Sequence, residues 1–126
     1  MKIPEELKYH AEHTWAKVEG DTVTVGITDY AQEQLGEIVY LELPGAGKAV
    51  EAGKAFAEIE SVKSVSDVYS PVSGEIVEAN QEVVDAPELI NEDCYGAGWL
   101  IKVKLAGDSG LDALLDAAAY EGIIAE

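Results

Sequence analysis

The sequence predicts a mainly β fold, a small sandwich or barrel, within a single domain of 126 residues. Short segments rich in β-branched and aromatic residues recur about every 8–12 residues, and Gly, Pro and Asn turn signals separate them. Apolar residues make up 48% of the chain, which is enough for a real core. The net charge of 8 − 25 = −17 does not indicate disorder, because disorder also requires a shortage of apolar residues.

The first predicted elements are a β-hairpin and a short helix. Residues 15–18 and 22–27 are β-prone and flank a glycine-centred turn. Thr28 is the predicted N-cap of a helix over residues 28–35, and Gly36 follows as the residue that ends it.

A strand over residues 37–43 is predicted next. Val39, Leu41 and Leu43 form a wholly apolar face that should point into the core. The other face is mixed and should be only partly covered, since it carries Ile38, Tyr40 and Glu42. Across the whole chain, the alternation selects as core residues Trp15, Ile27, Val39, Leu41, Ile59, Ile76, Ile101 and Val103.

The second half of the chain alternates short strands with tight turns and then becomes helical. Residues 83–90 predict a helical turn entered near Pro87, and residues 99–105 predict a strand. A C-terminal helical segment is expected over residues 108–124, with Asp108 as its N-cap. Its apolar positions follow the helical period: Leu111, Leu114, Leu115 and Ala118.

The charge balance excludes several classes of partner. The eight cations are all lysines and form no basic stripe, so a nucleic-acid binder is not expected. Anionic membranes would repel the chain, and no apolar run reaches the length of a membrane span. The chain should be a self-repelling monomer that meets its partners at their basic surfaces.

Few residues suggest chemistry of their own. Cys94 has acidic neighbours that disfavour a thiolate, so a small semi-buried thiol is favoured over a nucleophile. His10 and His13 with Glu12 give a weak zinc hypothesis, and solvated or turn-capping histidines are the favoured alternative. No signal or transit peptide is recognisable, which favours the cytoplasm, although a mature mitochondrial chain would look the same.

Lys63 lies at a sharp turn between two β-prone segments. Such a turn would project its amine clear of the backbone from a fixed position, as a modifying enzyme requires. The amine is nucleophilic only when neutral, and its reference pKa is about 10.4. Taken alone, this spacing favours an ordinary solvated lysine, since most turn lysines are unmodified. Val62, Val65 and Val68 are expected to hold the tip.

Residues 60–75 read ESVKSVSDVYSPVSGE, and this stretch closely resembles the lipoyl-attachment motif of the H protein of the glycine cleavage system. Further blocks match that family in order and at its spacing: 7–9, 13–15, 25–32, 35–39, 43–44, 89–91, 95–100 and 102–104. A generic lipoyl or biotinyl domain would match only around the lysine. The resemblance implies a barrel-sandwich hybrid, the fold of lipoyl and biotinyl carriers, spanning residues 1–126.

The resemblance implies a non-catalytic carrier with lipoate bound as an amide to Lys63. Its implied partners are a pyridoxal-phosphate glycine decarboxylase, which loads an aminomethyl group, and a tetrahydrofolate-dependent aminomethyltransferase, which removes it. Dihydrolipoamide dehydrogenase then takes the electrons, and a lipoate ligase or a lipoyl or octanoyl transferase installs the cofactor. No metal is implied.

The implied site residues fall into two groups. The tip and arm contacts are Glu60, Ser61, Val62, Ser64 and Asp67. A cleft for the arm would include Glu12 and Thr14. The family usually has Glu where this chain has Thr14, so Glu12 is the candidate substitute for that acidic contact. Asp67 is equally compatible with a turn residue that bonds to the backbone.

The sequence is also compatible with two other functions. One is an H-like protein that mainly donates or relays lipoyl groups to other enzymes, because both roles need the same lysine. The other is an acidic interaction module with an unmodified Lys63.

Overall fold

The computed structural model describes residues 2–107 and 109–124, and within them the mainly β prediction is confirmed. The elements are, in chain order, β1 (Lys8–His10), β2 (Thr14–Glu19), β3 (Thr22–Ile27), α1 (Asp29–Leu35), β4 (Ile38–Glu42), β5 (Ala49–Val50), β6 (Ala55–Ser61), β7 (Val65–Tyr69), β8 (Gly74–Ala79), α2 (Gln81–Asp85), α3 (Glu88–Glu92), β9 (Ile101–Leu105), a 3₁₀ helix (Leu111–Ala113) and α4 (Ala117–Ile124). None of the helices in these residues has the length and apolar character needed to cross a membrane.

The strands form two antiparallel sheets, which agrees with a sandwich or barrel. The larger sheet has the order β1-β2-β3-β9-β8-β5, and the smaller has the order β4-β6-β7. Ile27 of the larger sheet shares a buried cluster with Leu41, Ile59 and Val68 of the smaller sheet. The two sheets therefore share a core, and seven of the eight predicted core residues are at most 3% exposed.

The prediction is wrong for the eighth core residue, Val39, which is 47% exposed, whereas Ile38 is 2% exposed. The pairing of β4 with β6 shifts register between Ile38 and Tyr40, which marks a β-bulge. An extra residue in a strand reverses the inside–outside alternation, so Ile38 and Leu41 point into the core together. Leu43 is half-buried against the same cluster.

The early helix forms as its capping residues predict. The Thr28 hydroxyl accepts a hydrogen bond from the Ala31 N–H at 3.2 Å, and Gly36 follows the last turn with φ of +77°. Residues 83–90 fall into two short helices rather than one turn, and Pro87 is the N-cap residue of α3.

The C-terminal segment is less helical than its leucine spacing predicts, because α4 begins at Ala117. Leu115 exchanges two backbone hydrogen bonds of 2.8 Å with Tyr9, and this bridge requires extended backbone there. The periodic leucines therefore do not share a helix face, and Ala118 is exposed. The predicted cap Asp108 lies outside the described residues.

Gly26 is the glycine that the packing of the larger sheet constrains most clearly, because it stands opposite Trp15. A Cβ at this position would stand 2.7 Å from the indole ring, whose Nε1 donates to the Cys94 carbonyl at 3.0 Å. We expect Gly26→Ala to lower the free energy of unfolding by about 1–3 kcal/mol through overpacking. Urea unfolding measures this, with Gly45→Ala as the control because nothing lies within 4 Å of its added Cβ. Equal losses in both variants would contradict the packing argument.

Candidate functional site

Lys63 lies exposed at the tip of the hairpin that joins β6 to β7. The Ser61 hydroxyl organises the turn, since it accepts hydrogen bonds from the N–H groups of Lys63, at 3.3 Å, and Ser64, at 3.1 Å. The Ser61 N–H donates to the Ser64 carbonyl at 2.8 Å. These local bonds define the path of the backbone, so the lysine projects from a fixed position.

Hydrogen bonds, rather than the three valines, hold this tip. Val68 is buried, but Val62 and Val65 are 66% and 59% exposed, so the expectation for them is wrong. The three residues that connect the strands, 62–64, are all exposed and have no core side chains to pack against. The Val62 N–H instead donates to the Glu37 carbonyl at 3.0 Å, which ties the tip to the start of β4.

Gly36 and Asn91 form the surface behind the tip. The Lys63 side chain lies across Gly36, because a Cβ there would stand 3.0 Å from Lys63 Cε. Asn91 Nδ2 donates to Gln32 Oε1 at 3.0 Å and to the Gly36 carbonyl at 2.8 Å. Its Oδ1 accepts from the Ile38 N–H at 2.9 Å. Asn91 thus joins the end of α1 to the start of β4 where the lysine passes.

A cavity of about 260 Å³, the α1–β7 cleft, opens beside the tip. Core side chains supply its apolar lining: Ile27, Leu35, Ile59 and Val68. Polar residues line it from the turn before β2, from α1 and from the β6–β7 hairpin: Glu12, His13, Thr14, Gln34, Ser64 and Asp67. An apolar lining with a few converging polar groups is typical of a small-ligand site. The structure therefore brings the predicted residues Glu12, Thr14, Ser64 and Asp67 together.

Thr14, one of the residues at the cleft, carries a buried hydroxyl without a partner. The residue is 1% exposed, and its Oγ1 has no hydrogen-bond partner among the described residues. A buried hydroxyl without a partner costs about 1–3 kcal/mol.

The turn before β2 presents His13 to the cleft. His13 has φ of +71°, a left-handed conformation that is uncommon outside glycine but enriched for histidine. The Glu12 N–H donates to His10 Nδ1 at 3.0 Å, so His10 caps the turn. Burial lowers the pKa of both His10 and His13 below the ordinary value, which keeps both imidazoles neutral near pH 7. Glu12 itself is exposed.

Glu60 lies on a different surface from the one expected. Its side chain lines a larger groove of about 540 Å³ on the smaller sheet, with the acidic residues Glu42, Glu58 and Asp67. Asp67 lines both this groove and the α1–β7 cleft. The structure therefore separates Glu60 from the cleft and keeps Asp67 in it.

Cys94 has the properties of a structural thiol. It is 6% exposed, and burial, with the nearby charge of Asp29, raises its pKa to about 12. The thiol therefore stays protonated and unreactive. In the part of the chain that the structure describes, no three His, Cys, Asp or Glu side chains are grouped to hold a metal ion.

The contributions of α1 and α4 to the site are absent from the sequence-based prediction. Tyr30, Ala31 and Gln34 of α1 line the cleft, and Tyr120 of α4 contacts His13 behind it. The four-residue spacing of Tyr30 and Gln34 shows that they share a helix face. Nothing in that spacing indicates that β7 stands opposite the face.

Comparison with known proteins gives a consistent result. The family model described as "Glycine cleavage H-protein" matches residues 7–126. The chain is 54% identical to the glycine cleavage system H protein of Staphylococcus carnosus over 126 residues, with full coverage of both chains. It is 51% identical to that of Carboxydothermus hydrogenoformans, covering 98% of this chain and 95% of the relative. A crystal structure of the H protein from Mycobacterium marinum superposes with a TM-score of 0.85 at 44% identity, covering 95% and 97% of the two chains.

Proposed function

Because the chain belongs to the glycine cleavage H-protein family, we propose that it carries lipoate in amide linkage to Lys63. It is a non-catalytic carrier subunit of the glycine cleavage system. In this proposal, a single monomeric domain in the cytoplasm takes an aminomethyl group from the glycine decarboxylase to the aminomethyltransferase. It then delivers electrons to dihydrolipoamide dehydrogenase, and a lipoate ligase or a lipoyl or octanoyl transferase modifies it beforehand.

The observation that supports this function best is a fixed, exposed lysine beside a partly polar cleft. The hairpin holds Lys63 while its Nζ stays accessible to a modifying enzyme. Forming the amide requires the neutral amine, whose lone pair makes the new C–N bond to an activated acyl group. The bond from that acyl carbon to its adenylate or thiol leaving group breaks, and one amine proton leaves. Lipoate, when bound, supplies a disulfide that accepts a carbon unit with two electrons and can later be reoxidised.

The α1–β7 cleft fits the group that Lys63 would carry. The apolar lining of Ile27, Leu35 and Ile59 suits a hydrocarbon arm and excludes water from it. The carboxylates of Glu12 and Asp67 suit a cationic amine at the end of that arm. In this proposal Glu12 supplies an acidic contact at the rim that Thr14 cannot provide.

Thr14→Val tests the unpartnered hydroxyl. We expect the free energy of unfolding of the unmodified chain to rise by about 1 kcal/mol, because a buried unsatisfied oxygen is removed at constant shape. Urea titration measures this. The matched control is Thr28→Val, which should be destabilising because the Thr28 hydroxyl caps α1 and bonds to Tyr120. A loss of stability in Thr14→Val would show that the hydroxyl already has a partner.

The function itself is tested with the fully lipoylated chain and purified glycine decarboxylase. We expect glycine-dependent exchange of carbon dioxide that requires the lipoylated form. Lipoylation without exchange would support the relay of lipoyl groups to other enzymes instead. A chain that accepts no lipoyl group would support the unmodified interaction module.

The charge of −17 should steer encounters with basic partner surfaces. We expect the rate constant for transfer to each partner to fall at least severalfold between about 20 mM and about 500 mM salt, because screening shortens the range of attraction. Stopped-flow transfer at subsaturating carrier measures it. A rate that does not change with salt would contradict steering.

A further inference from the structure

The cleft wall at His13 depends on a residue from the far end of the chain. Tyr120 of α4 is fully buried, and its hydroxyl lies 2.8 Å from His13 Nδ1 and 2.7 Å from Thr28 Oγ1. The His13 ring also packs against Tyr30, at 4.7 Å between ring centroids, and both rings line the α1–β7 cleft. One phenol therefore connects the turn before β2 to the N-terminus of α1.

The direction of these hydrogen bonds follows from counting protons. Thr28 Oγ1 already accepts from the Ala31 N–H, and its own proton has the Tyr120 oxygen as its acceptor among the described residues. The Tyr120 proton must then go to His13 Nδ1 if every buried group is satisfied. His13 accepts at Nδ1, so its single proton is on Nε2.

The electrostatics of both partners agree with this direction. Burial raises the pKa of Tyr120 to about 12, so its phenol keeps the proton that it donates. Burial lowers the pKa of His13 against the opposing effect of Glu12, so its ring stays a neutral acceptor. A neutral ring leaves the cleft without a cation that would repel an amine.

We infer that Tyr120 is a positioning residue of the α1–β7 cleft, whose hydroxyl holds the His13 imidazole in the cleft wall as its Nε2–H tautomer. The C-terminal helix thereby supports the cleft wall at His13 and α1, more than eighty residues earlier in the chain. The role of Tyr120 in retaining the lipoyl arm rests on the proposed function. The hydrogen-bond chain stands on geometry alone.

The first test is ¹⁵N NMR of the unmodified full chain labelled at histidine. We expect His13 Nδ1 to have the shift of an unprotonated nitrogen in the wild type, and Tyr120→Phe to move it toward a mixture of tautomers. Tyr9→Phe is the matched control, because Tyr9 stacks on Tyr120 at 4.8 Å while its hydroxyl donates to the Pro4 carbonyl. His10, which accepts from Glu12, is the internal control and should not change.

A wild-type His13 with its proton on Nδ1, or a spectrum of His13 that Tyr120→Phe leaves unchanged, would overturn the inference. The wild-type result decides the tautomer even if Tyr120→Phe does not fold.

The second test uses the lipoylated chain after loading with glycine and decarboxylase, once both have been removed. We expect Tyr120→Phe to release ammonia about fivefold faster than the wild type, the order expected for the loss of one neutral hydrogen bond. Tyr9→Phe should match the wild type. Equal rates for Tyr120→Phe and the wild type would overturn the positioning role. A wild-type chain that takes up no carbon would instead contradict the proposed function, and the NMR result would still decide the inference.

Discussion

Lys63→Arg should abolish lipoylation, so intact-mass measurement after co-expression with a lipoate ligase should show no mass shift. An arginine occupies the same tip with a similar charge, but its guanidinium stays protonated and offers no amine for the amide bond. All glycine-dependent exchange should be lost with the modification. This is the largest effect that we expect from any single substitution in the chain.

Lys54→Arg is the matched control for this experiment. Lys54 is also an exposed turn lysine, and it forms an ion pair with Glu51 at 3.0 Å. It does not lie in the turn that the Ser61 hydroxyl organises. The Lys54→Arg variant should be lipoylated at Lys63 to the same extent as the wild type. A mass shift that persists in Lys63→Arg would place the attachment on one of the other seven lysines.

Asn91→Ala should lower the free energy of unfolding by about 2–4 kcal/mol, because it removes three hydrogen bonds and leaves a buried donor without an acceptor. The Ile38 N–H loses its acceptor, and the Gly36 carbonyl and Gln32 lose the amide that joins them. We also expect slower lipoylation, since the Val62 N–H is anchored on this same segment. Urea unfolding and the time course of the mass shift measure the two effects.

Two further variants sharpen this prediction. Asn91→Asp keeps the oxygen that accepts from Ile38, but its second oxygen faces the Gly36 carbonyl and Gln32 Oε1 without a proton to donate, so its loss of stability should be at least as large. Gln81→Ala removes a single exposed contact with Asp85 and should change stability by less than about 0.5 kcal/mol. A change that small in Asn91→Ala would contradict the role of Asn91 in joining the end of α1 to the start of β4.

Local patterns predict the elements well where short-range physics dominates. The Thr28 cap, the Gly36 stop and the turn around Lys63 are all observed, because each depends on residues within a few positions. The alternation fails in β4, where a bulge moves Val39 outward and Ile38 inward. It also fails near Leu115, whose pairing with Tyr9 overrides helical spacing. In both places a distant partner strand decides the conformation.

The family, and the lysine that we propose as the attachment residue, could be recognised from the residues alone, because a sharp turn, a lysine and the surrounding motif are contiguous in the chain. The cleft could not be derived in this way. Glu12 and Thr14 reach it from one end of the chain, Asp67 from the middle, and Tyr120 supports it across 107 positions. Hydrogen bonds and packing between such distant residues depend on the final arrangement of both sheets, and no local pattern encodes that arrangement.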